Sequence, residues 1–442
     1  MNFTEIKEII SAACKKFGVE EYEVCYSVGE DMSTETLKSE ISAFSSGASA
    51  KVYFRCLCDG HMGMASTSYF DEDELADLVL RAKDNAKAIE NDDVQIIFKG
   101  SESYEKTTAP EPAEIEANDL KNKALELQKA AYAADSSVVD GTQAVAMSFK
   151  NEYYLYNSHG LELSNRVGMS GCYVEAVVNK DGEARNNFEF AENINSEDAK
   201  NLPAKAVQGA IDKIGAVEVS TGKYNVVIDG TQMRSLLSAF SSAFSAKNAL
   251  LGMSKLRGKE GEVIAAEIVT IMDDPMREGC PIQTSFDDEG VATHKKTVVE
   301  NGVLNTLLYN LTTAIKTGKE TTGNGRRGGN IAPYNFGICA GSDTQDELFA
   351  KAENGIYVTG LKGLHAGANA ITGDFSVESE GFLIENGKKA GPIKSFTVAG
   401  NFFELLKSID SLGNEVKWGI PGGFTVFGSP DVLIKDMSVA GK

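Results

Sequence analysis

The run Phe382-Leu383-Ile384-Glu385 leads straight into Asn386-Gly387, and this limits the folds open to the chain more than any other feature. A strand-like run that enters an Asn-Gly pair is the strongest short-range signal for a tight β-hairpin, because both residues accept the positive φ that the turn demands. The same reading applies to Asn301-Gly302 and Asp59-Gly60, and Asp181-Gly182 marks a further turn. Hairpins pair their strands antiparallel. The expected fold is therefore α+β, with an N-terminal α/β-type region of antiparallel strands and helices, then a large C-terminal domain dominated by antiparallel sheet.

Between the turns, apolar residues recur at helical or strand spacing. Residues 1–17 place Ile6, Ile9, Ile10 and Ala13 on one stripe beside Glu5, Lys7, Glu8, Lys15 and Lys16, which predicts an amphipathic helix and not a signal peptide. A strand is expected over 22–28. Residues 71–89 open on Asp71 and Glu74, a capping-box-like start, and put Leu75, Leu78, Val79, Ala82 and Ala86 on one face. The polar, proline-bearing stretch 91–112 reads as a linker or long loop. A helix over 113–134 leads to strands over 138–149, 162–168 and 173–179, and a helix over 196–214 closes this half. The chain restarts at Gly222-Lys223-Tyr224 with a strand over 225–228 and a helix over 231–251. The expected organisation is an N-terminal domain over 1–220, with subregions 1–92 and 113–220, and a β-rich domain over 221–442.

Lys and Arg number 43 against 64 Asp and Glu, a net charge of −21. Such a surface repels phosphates and argues against direct nucleic-acid binding. No run approaches the ~18 consecutive apolar residues of a membrane span, so a soluble cytoplasmic protein is the simplest expectation. The seven cysteines, an odd number spread through the chain, read as reduced, buried thiols. Cys56, Cys58 and His61 are soft ligands close together in sequence. However, Val52, Phe54, Cys56 and Cys58 alternate onto one strand face before the Asp59-Gly60 turn, so a core strand accounts for both thiols.

Residues 361–393 hold the candidate binding surface. Gly360, Gly363 and Gly367 flank His365 and precede Gly373-Asp374-Phe375-Ser376, and closely spaced glycines let backbone approach a ligand or a second strand. The bland alternative is a tight sheet corner. Residues 323–329, reading GNGRRGG, combine backbone freedom with Arg326 and Arg327, which suits either a mobile surface loop or a site for a carboxylate or phosphate. The carboxylates Asp273, Asp274, Asp287, Asp288 and Glu289 are expected to cap turns and stay solvated, although they also offer oxygen ligands to a hard cation.

Taken together, Gly373-Asp374-Phe375-Ser376, Gly381-Phe382, Ile384-Glu385-Asn386-Gly387, Val398-Ala399-Gly400-Asn401-Phe402, Gly428-Ser429-Pro430 and Met437-Ser438-Val439-Ala440-Gly441 resemble the C-terminal signature of the TldD/PmbA (TldE) family. The blocks Asp273-Asp274-Pro275, Phe286-Asp287-Asp288-Glu289-Gly290, Gly302-Val303-Leu304 and Thr322-Gly323-Asn324-Gly325 resemble the same family upstream, and residues 47–68 resemble its first domain. Its members are known as modulators of DNA gyrase and are regarded as metallopeptidases.

TldD-type members carry HExxxH on the first helix of the C-terminal domain. Residues 231–245 of this chain read TQMRSLLSAFSSAFS and contain no His, Glu or Cys. His61, His159, His294 and His365 are scattered, and no G-x-S-x-G elbow or phosphate-binding loop is present. The resemblance therefore points to a PmbA/TldE-type chain with no metal or catalytic residue of its own. Zinc is expected in a TldD-like partner, and this chain would shape a channel for unfolded peptides around His365, Gly373, Asp374, Phe375 and Ser376. Expressed alone, it would pair with itself. Two alternatives stay open: an active metallopeptidase on its own, or a non-enzymatic binding and regulatory module.

Overall fold

The computed structural model describes residues 1–90 and 93–442. The first two residues of the expected linker over 91–112 lie outside that description. The rest of the linker is a coil fastened to the C-terminal half: the Gln283 Oε1 accepts from the Thr108 and Ala109 N–H at 2.7 and 2.9 Å, and the Tyr104 hydroxyl donates to the Gly290 carbonyl at 2.7 Å.

The N-terminal half contains α1 (Phe3–Phe17), β1 (Glu21–Leu37), β2 (Glu40–Cys58), β3 (His61–Thr67), α2 (Glu72–Lys87), α3 (Ala117–Ala134), β4 (Gln143–Asn157), β5 (Glu162–Lys180), β6 (Glu183–Ala191) and α4 (Glu197–Ile211). One antiparallel sheet in the order β3-β2-β1-β4-β5-β6 runs through both expected subregions. Asn2 caps α1 in a reciprocal box with Glu5, and the Asp71 carboxylate accepts from the Glu74 N–H at 2.9 Å to start α2. The buried stripes Ile6, Ile10, Ala13 and Leu75, Leu78, Val79, Ala82 then pack with Val24, Val52, Phe54 and Cys56. Each fully buried Leu, Ile, Val or Phe side chain contributes about 1.5–3 kcal/mol of transfer free energy.

Several expected bounds shift. The strand expected over 22–28 runs to Leu37 and turns at Lys38 and Ser39, both at positive φ (52° and 65°). The strands expected over 162–168 and 173–179 are one strand, β5, because β4 pairs with it without a break from Glu162 to Glu175. The strand expected over 138–149 lies at Gln143–Asn157, and the helix expected from 113 begins at Ala117.

The C-terminal half adds β7 (Gly222–Ile228), α5 (Gly230–Phe240), α6 (Ala246–Leu250), β8 (Ile271–Asp273), β9 (Lys296–Glu300), β10 (Val303–Leu304), α7 (Leu311–Thr317), β11 (Gly325–Arg326), β12 (Asn330–Ile331) and β13 (Asn335–Ile338). It continues through α8 (Gln345–Ala352), β14 (Gly355–Lys362), α9 (Leu364–Gly367), β15 (Asp374–Glu385), β16 (Lys388–Asn401), α10 (Phe402–Lys407), β17 (Ile409–Leu412), β18 (Lys417–Trp418), β19 (Val426–Ser429) and β20 (Val432–Ala440). One sheet runs β10-β9-β8-β13-β19-β18. A second runs β16-β15-β14-β7-β20-β17, and a further pairing of β16 with β20 closes β16, β15, β14, β7 and β20 into a ring. Closure removes edges that an open sheet would expose. Antiparallel pairs dominate, with β7–β14 and β13–β19 parallel, so the chain is α+β.

The helix expected over 231–251 breaks into α5, a 3-10 turn (Ser241–Phe244) and α6. Serine accounts for the break. The Ser241 hydroxyl donates back to the Ser238 carbonyl at 2.8 Å, while Ser245 turns extended and caps α6 through the Asn248 N–H. Met233, Leu236, Leu237 and Phe240 face the core between the sheets, where Phe240 stacks on Phe402 at 4.6 Å. Among the described residues, no helix is long and apolar enough to cross a membrane.

Candidate functional site in the cavity between the two halves

Four carboxylates hold the segment 322–335 and the neighbouring start of α7 in place. Asp273, fully buried at the end of β8, accepts from the Asn324 side chain and the Tyr334 N–H, both at 2.7 Å, and from Lys296 at 3.1 Å. Asp287 accepts from the Gly325 N–H at 2.8 Å, and from the N–H groups of Glu289 and Val291 in its own turn. Asp288 accepts from the Arg327 N–H at 3.0 Å, and Glu289 from the Leu311 N–H at the start of α7 at 2.8 Å. A Cβ on Gly325 would lie 2.5 Å from the Glu289 carboxylate, so only glycine fits between these groups.

This corrects two expectations from the sequence. Asp273, Asp287 and Glu289 are buried and not solvated, and residues 323–329 form an anchored platform and not a loose surface loop. Burial, and then the neighbouring Glu289, push the Asp287 carboxyl well above the ordinary range against the pull of its backbone donors. Burial also raises Glu289, and Arg55 draws it back.

The platform presents Arg326 and Arg327 to a cavity of about 710 Å³ between the two halves of the chain. Arg326 stacks on the Tyr334 ring at 4.1 Å and donates to the Pro333 carbonyl at 3.1 Å. Arg327 stacks at 4.1 Å on Tyr53 of β2, and its Nε is buried without a hydrogen-bond partner among the described residues. Glu23 and Arg55, paired across β1 and β2, meet at 2.8 Å on the opposite wall. Met62, Met64, Leu250 and Leu251 supply apolar surface from β3 and the end of α6. Tyr53 and Arg55 were not picked out from the sequence, although a charged residue alternating with Phe54 and Cys56 marks a strand face that is not simple core.

A second polar cluster lies at the start of α5. Lys417 bridges Asp229 and Asp431 at 2.6 Å each, Tyr357 donates to Asp229 at 2.5 Å, Gln345 donates to Asp431 at 2.8 Å, and the Gly230 N–H donates to Asp431 at 2.7 Å. Burial alone would raise the Asp229 carboxyl, but the Lys417 ammonium and the donors around it hold it below the ordinary carboxylate range. Along the rest of α5 a core face alternates with the partly exposed Gln232, Arg234, Ser235 and Ser238. Its inward side chains are Met233, Leu236, Leu237 and Phe240, and neither face offers an imidazole, thiolate or carboxylate to a cation, so this helix does not fit a zinc ion.

The residues singled out around Gly373 lie elsewhere and line no part of the cavity. Gly373 has φ of +81°, and a Cβ there would meet the Phe403 ring at 2.6 Å. Phe375 is buried against Phe240, whereas Asp374 and Ser376 are exposed on alternate positions of β15. Asp374 accepts from the Asn401 side chain at 2.8 Å. The backbone of 374–376 pairs with β16 on one side and meets Ala368 and Asn369 on the other, so no strand edge is open there. His365 is exposed on α9.

At the cysteine pair, Cys56 faces the α1 and α2 core. Burial, then Cys58, push its thiol up to about 12, and it stays protonated at neutral pH. Among the described residues, no three His, Cys, Asp or Glu side chains are grouped to hold a metal ion.

Residues 22–86, 110–214 and 221–441 match, respectively, the first, central and C-terminal domains of the PmbA/TldA metallopeptidase family. A crystal structure from Thermotoga maritima, named as that of a candidate modulator of a DNA gyrase, superposes with a TM-score of 0.90 at 29% identity over 99% of this chain and all of that one. TldE from Thermococcus kodakarensis superposes with a TM-score of 0.89 at 26% identity over 99% of this chain and 100% of that one. A metalloprotease from Methanothermobacter thermautotrophicus is 29% identical over 90% of each chain. With all three domain models matched in order along most of its length, the chain belongs to the TldD/PmbA metallopeptidase family.

Proposed function

We propose that this chain is the PmbA/TldE-like subunit of a heteromeric, cytoplasmic metallopeptidase that degrades or processes unfolded peptides. In this reading zinc and the attacking water belong to a TldD-like partner, and this chain shapes the substrate channel. The observation that carries the reading is α5: a zinc peptidase needs imidazoles and a glutamate, whereas neither its core face of Met233, Leu236, Leu237 and Phe240 nor its partly exposed Gln232, Arg234, Ser235 and Ser238 supplies one. The TldE relative supports the same assignment by analogy of fold.

Assembly is supported by β2. Its neighbour β3 pairs only with residues 52–58, so residues 40–51 have an open edge on that side, with Ile41 and Phe44 exposed. Such an edge invites a further strand, either from a partner subunit or from an extended peptide held through main-chain hydrogen bonds. The channel role of His365, Gly373, Asp374, Phe375 and Ser376 is retained only for the exposed side chains His365, Asp374 and Ser376. The packing of Gly373 and Phe375 leaves them no room for a ligand.

The test is zinc content and assembly measured together. Elemental analysis of the purified chain after exposure to zinc is expected to find none held stoichiometrically. Sedimentation is expected to give a dimer, with a TldD-like chain when one is supplied and with itself otherwise. One tightly held zinc per chain would overturn the assignment in favour of an active peptidase on its own.

A further inference from the structure

We propose that the cavity between the two halves anchors the C-terminal carboxylate of an extended peptide whose last side chain is apolar, with Arg327 as the anion-binding group. The inference rests on the proposed function and deepens it, because it names the end of the substrate that this chain grips.

Charge gives the first argument. In a chain of net charge −21, the cavity concentrates basic side chains. Glu23 cancels Arg55 at 2.8 Å, and Lys316 meets Asp93 at 2.5 Å. What remains on the lining is Arg326, Arg327 and Lys247 against Asp288 and Glu289, an excess of one positive charge. That excess suits a monoanion such as a carboxylate, whereas a phosphate dianion would be undercompensated.

Geometry gives the second. Among the described residues, no carboxylate lies within ion-pair distance of either Arg326 or Arg327, whereas Arg55 at the same cavity is closed by Glu23. Asp288 instead accepts from the Arg327 backbone N–H. A guanidinium that lines a cavity without a counter-charge is a ready partner for a ligand carboxylate. The Arg327 plane is already set by stacking on Tyr53, and its backbone by Asp288, so little ordering is needed on binding.

Shape gives the third. Met64 and Leu251 are 47% and 64% exposed on the same cavity, and apolar surface gathered in one concave site marks a place that something covers. A C-terminal residue carries its carboxylate and its side chain on one carbon, so a single residue serves the basic and the apolar walls together. An internal acidic residue brings the charge without the apolar group. A volume of about 710 Å³ falls within the ~300–1,000 Å³ typical of ligand pockets.

The experiment uses the purified full-length chain without a partner, so a failed hydrolysis assay and a failed anchor are told apart. Calorimetry would compare a pentapeptide of glycine and alanine ending in leucine, the same peptide amidated, and the amidated peptide with an internal glutamate. The free acid is expected to bind about tenfold or more tighter than either amide. Arg327→Gln should bring the free acid down to the level of the amide, and Leu251→Glu should weaken it as well. Equal binding of acid and amide, equal binding of the glutamate peptide, or an unchanged Arg327→Gln variant would each overturn the proposal. If Arg327→Gln fails to fold, the wild-type comparison decides alone.

Discussion

The C-terminal half holds two clusters of charged side chains, and they differ in how completely they are satisfied. At the start of α5, Asp229, Lys417, Asp431, Tyr357 and Gln345 hydrogen-bond to one another and to the Gly230 backbone, and the cluster closes on itself. On the platform at 323–329, the carboxylates are used in holding backbone, and the two guanidiniums they position line the cavity with no carboxylate partner among the described residues. A closed cluster is structural, because nothing is left over for a ligand. A cluster with donors left over is a site, and burial alone does not separate the two.

The comparison predicts opposite responses to mutation. Lys417→Met should leave Asp229 and Asp431 without their shared cation and cost about 3–5 kcal/mol in chemical denaturation. A loss of less than about 1 kcal/mol would show that the cluster does not hold the start of α5. Gly373→Val belongs with the closed regions. The left-handed backbone alone costs about 1–3 kcal/mol, and the contact with Phe403 adds to it, so the melting temperature should fall whatever happens to peptide binding.

Acid provides a milder probe. The Asp229 carboxyl titrates lower in the folded than in the unfolded chain, where its pKa is about 3.9. Its contribution to stability is complete above that unfolded value and lost as the pH falls through the folded one. The Asp229 contribution, read as the difference between the wild type and Lys417→Met, should therefore be constant above about pH 5 and fade below about pH 4. The Lys417→Met variant should lose less stability than the wild type in this range. The smallest effect on stability is expected at the open cluster. Arg327→Gln removes a stacking contact and an unpartnered donor together, so it should change stability by about 1 kcal/mol or less. A large loss would place Arg327 among the scaffold residues and make the two clusters alike.

Local features of the fold were legible from the sequence because their causes are local. The Asn386-Gly387 and Asn301-Gly302 hairpins form where expected, since positive φ is written into those residues. The α1 and α2 stripes likewise follow from spacing and caps. The turn between β1 and β2 was not legible, because Lys38 and Ser39 adopt positive φ without being Gly, Asn or Asp. The site was less legible still. Asp273 reaches Asn324 and Tyr334 from 51 and 61 residues away, and no spacing rule connects them. The motif at 323–329 drew attention as a glycine-rich loop, but its anchoring depends on carboxylates that look like ordinary turn residues until the chain is folded.

Peptide turnover measured on each chain separately and on the two together tests the central claim most directly. This chain alone, supplied with zinc, is predicted to leave an unfolded peptide intact. A mixture with a TldD-like chain should hydrolyse it, and replacing the glutamate of the partner's HExxxH by glutamine should abolish that activity. Zinc-dependent hydrolysis by this chain in the absence of any partner would contradict the account.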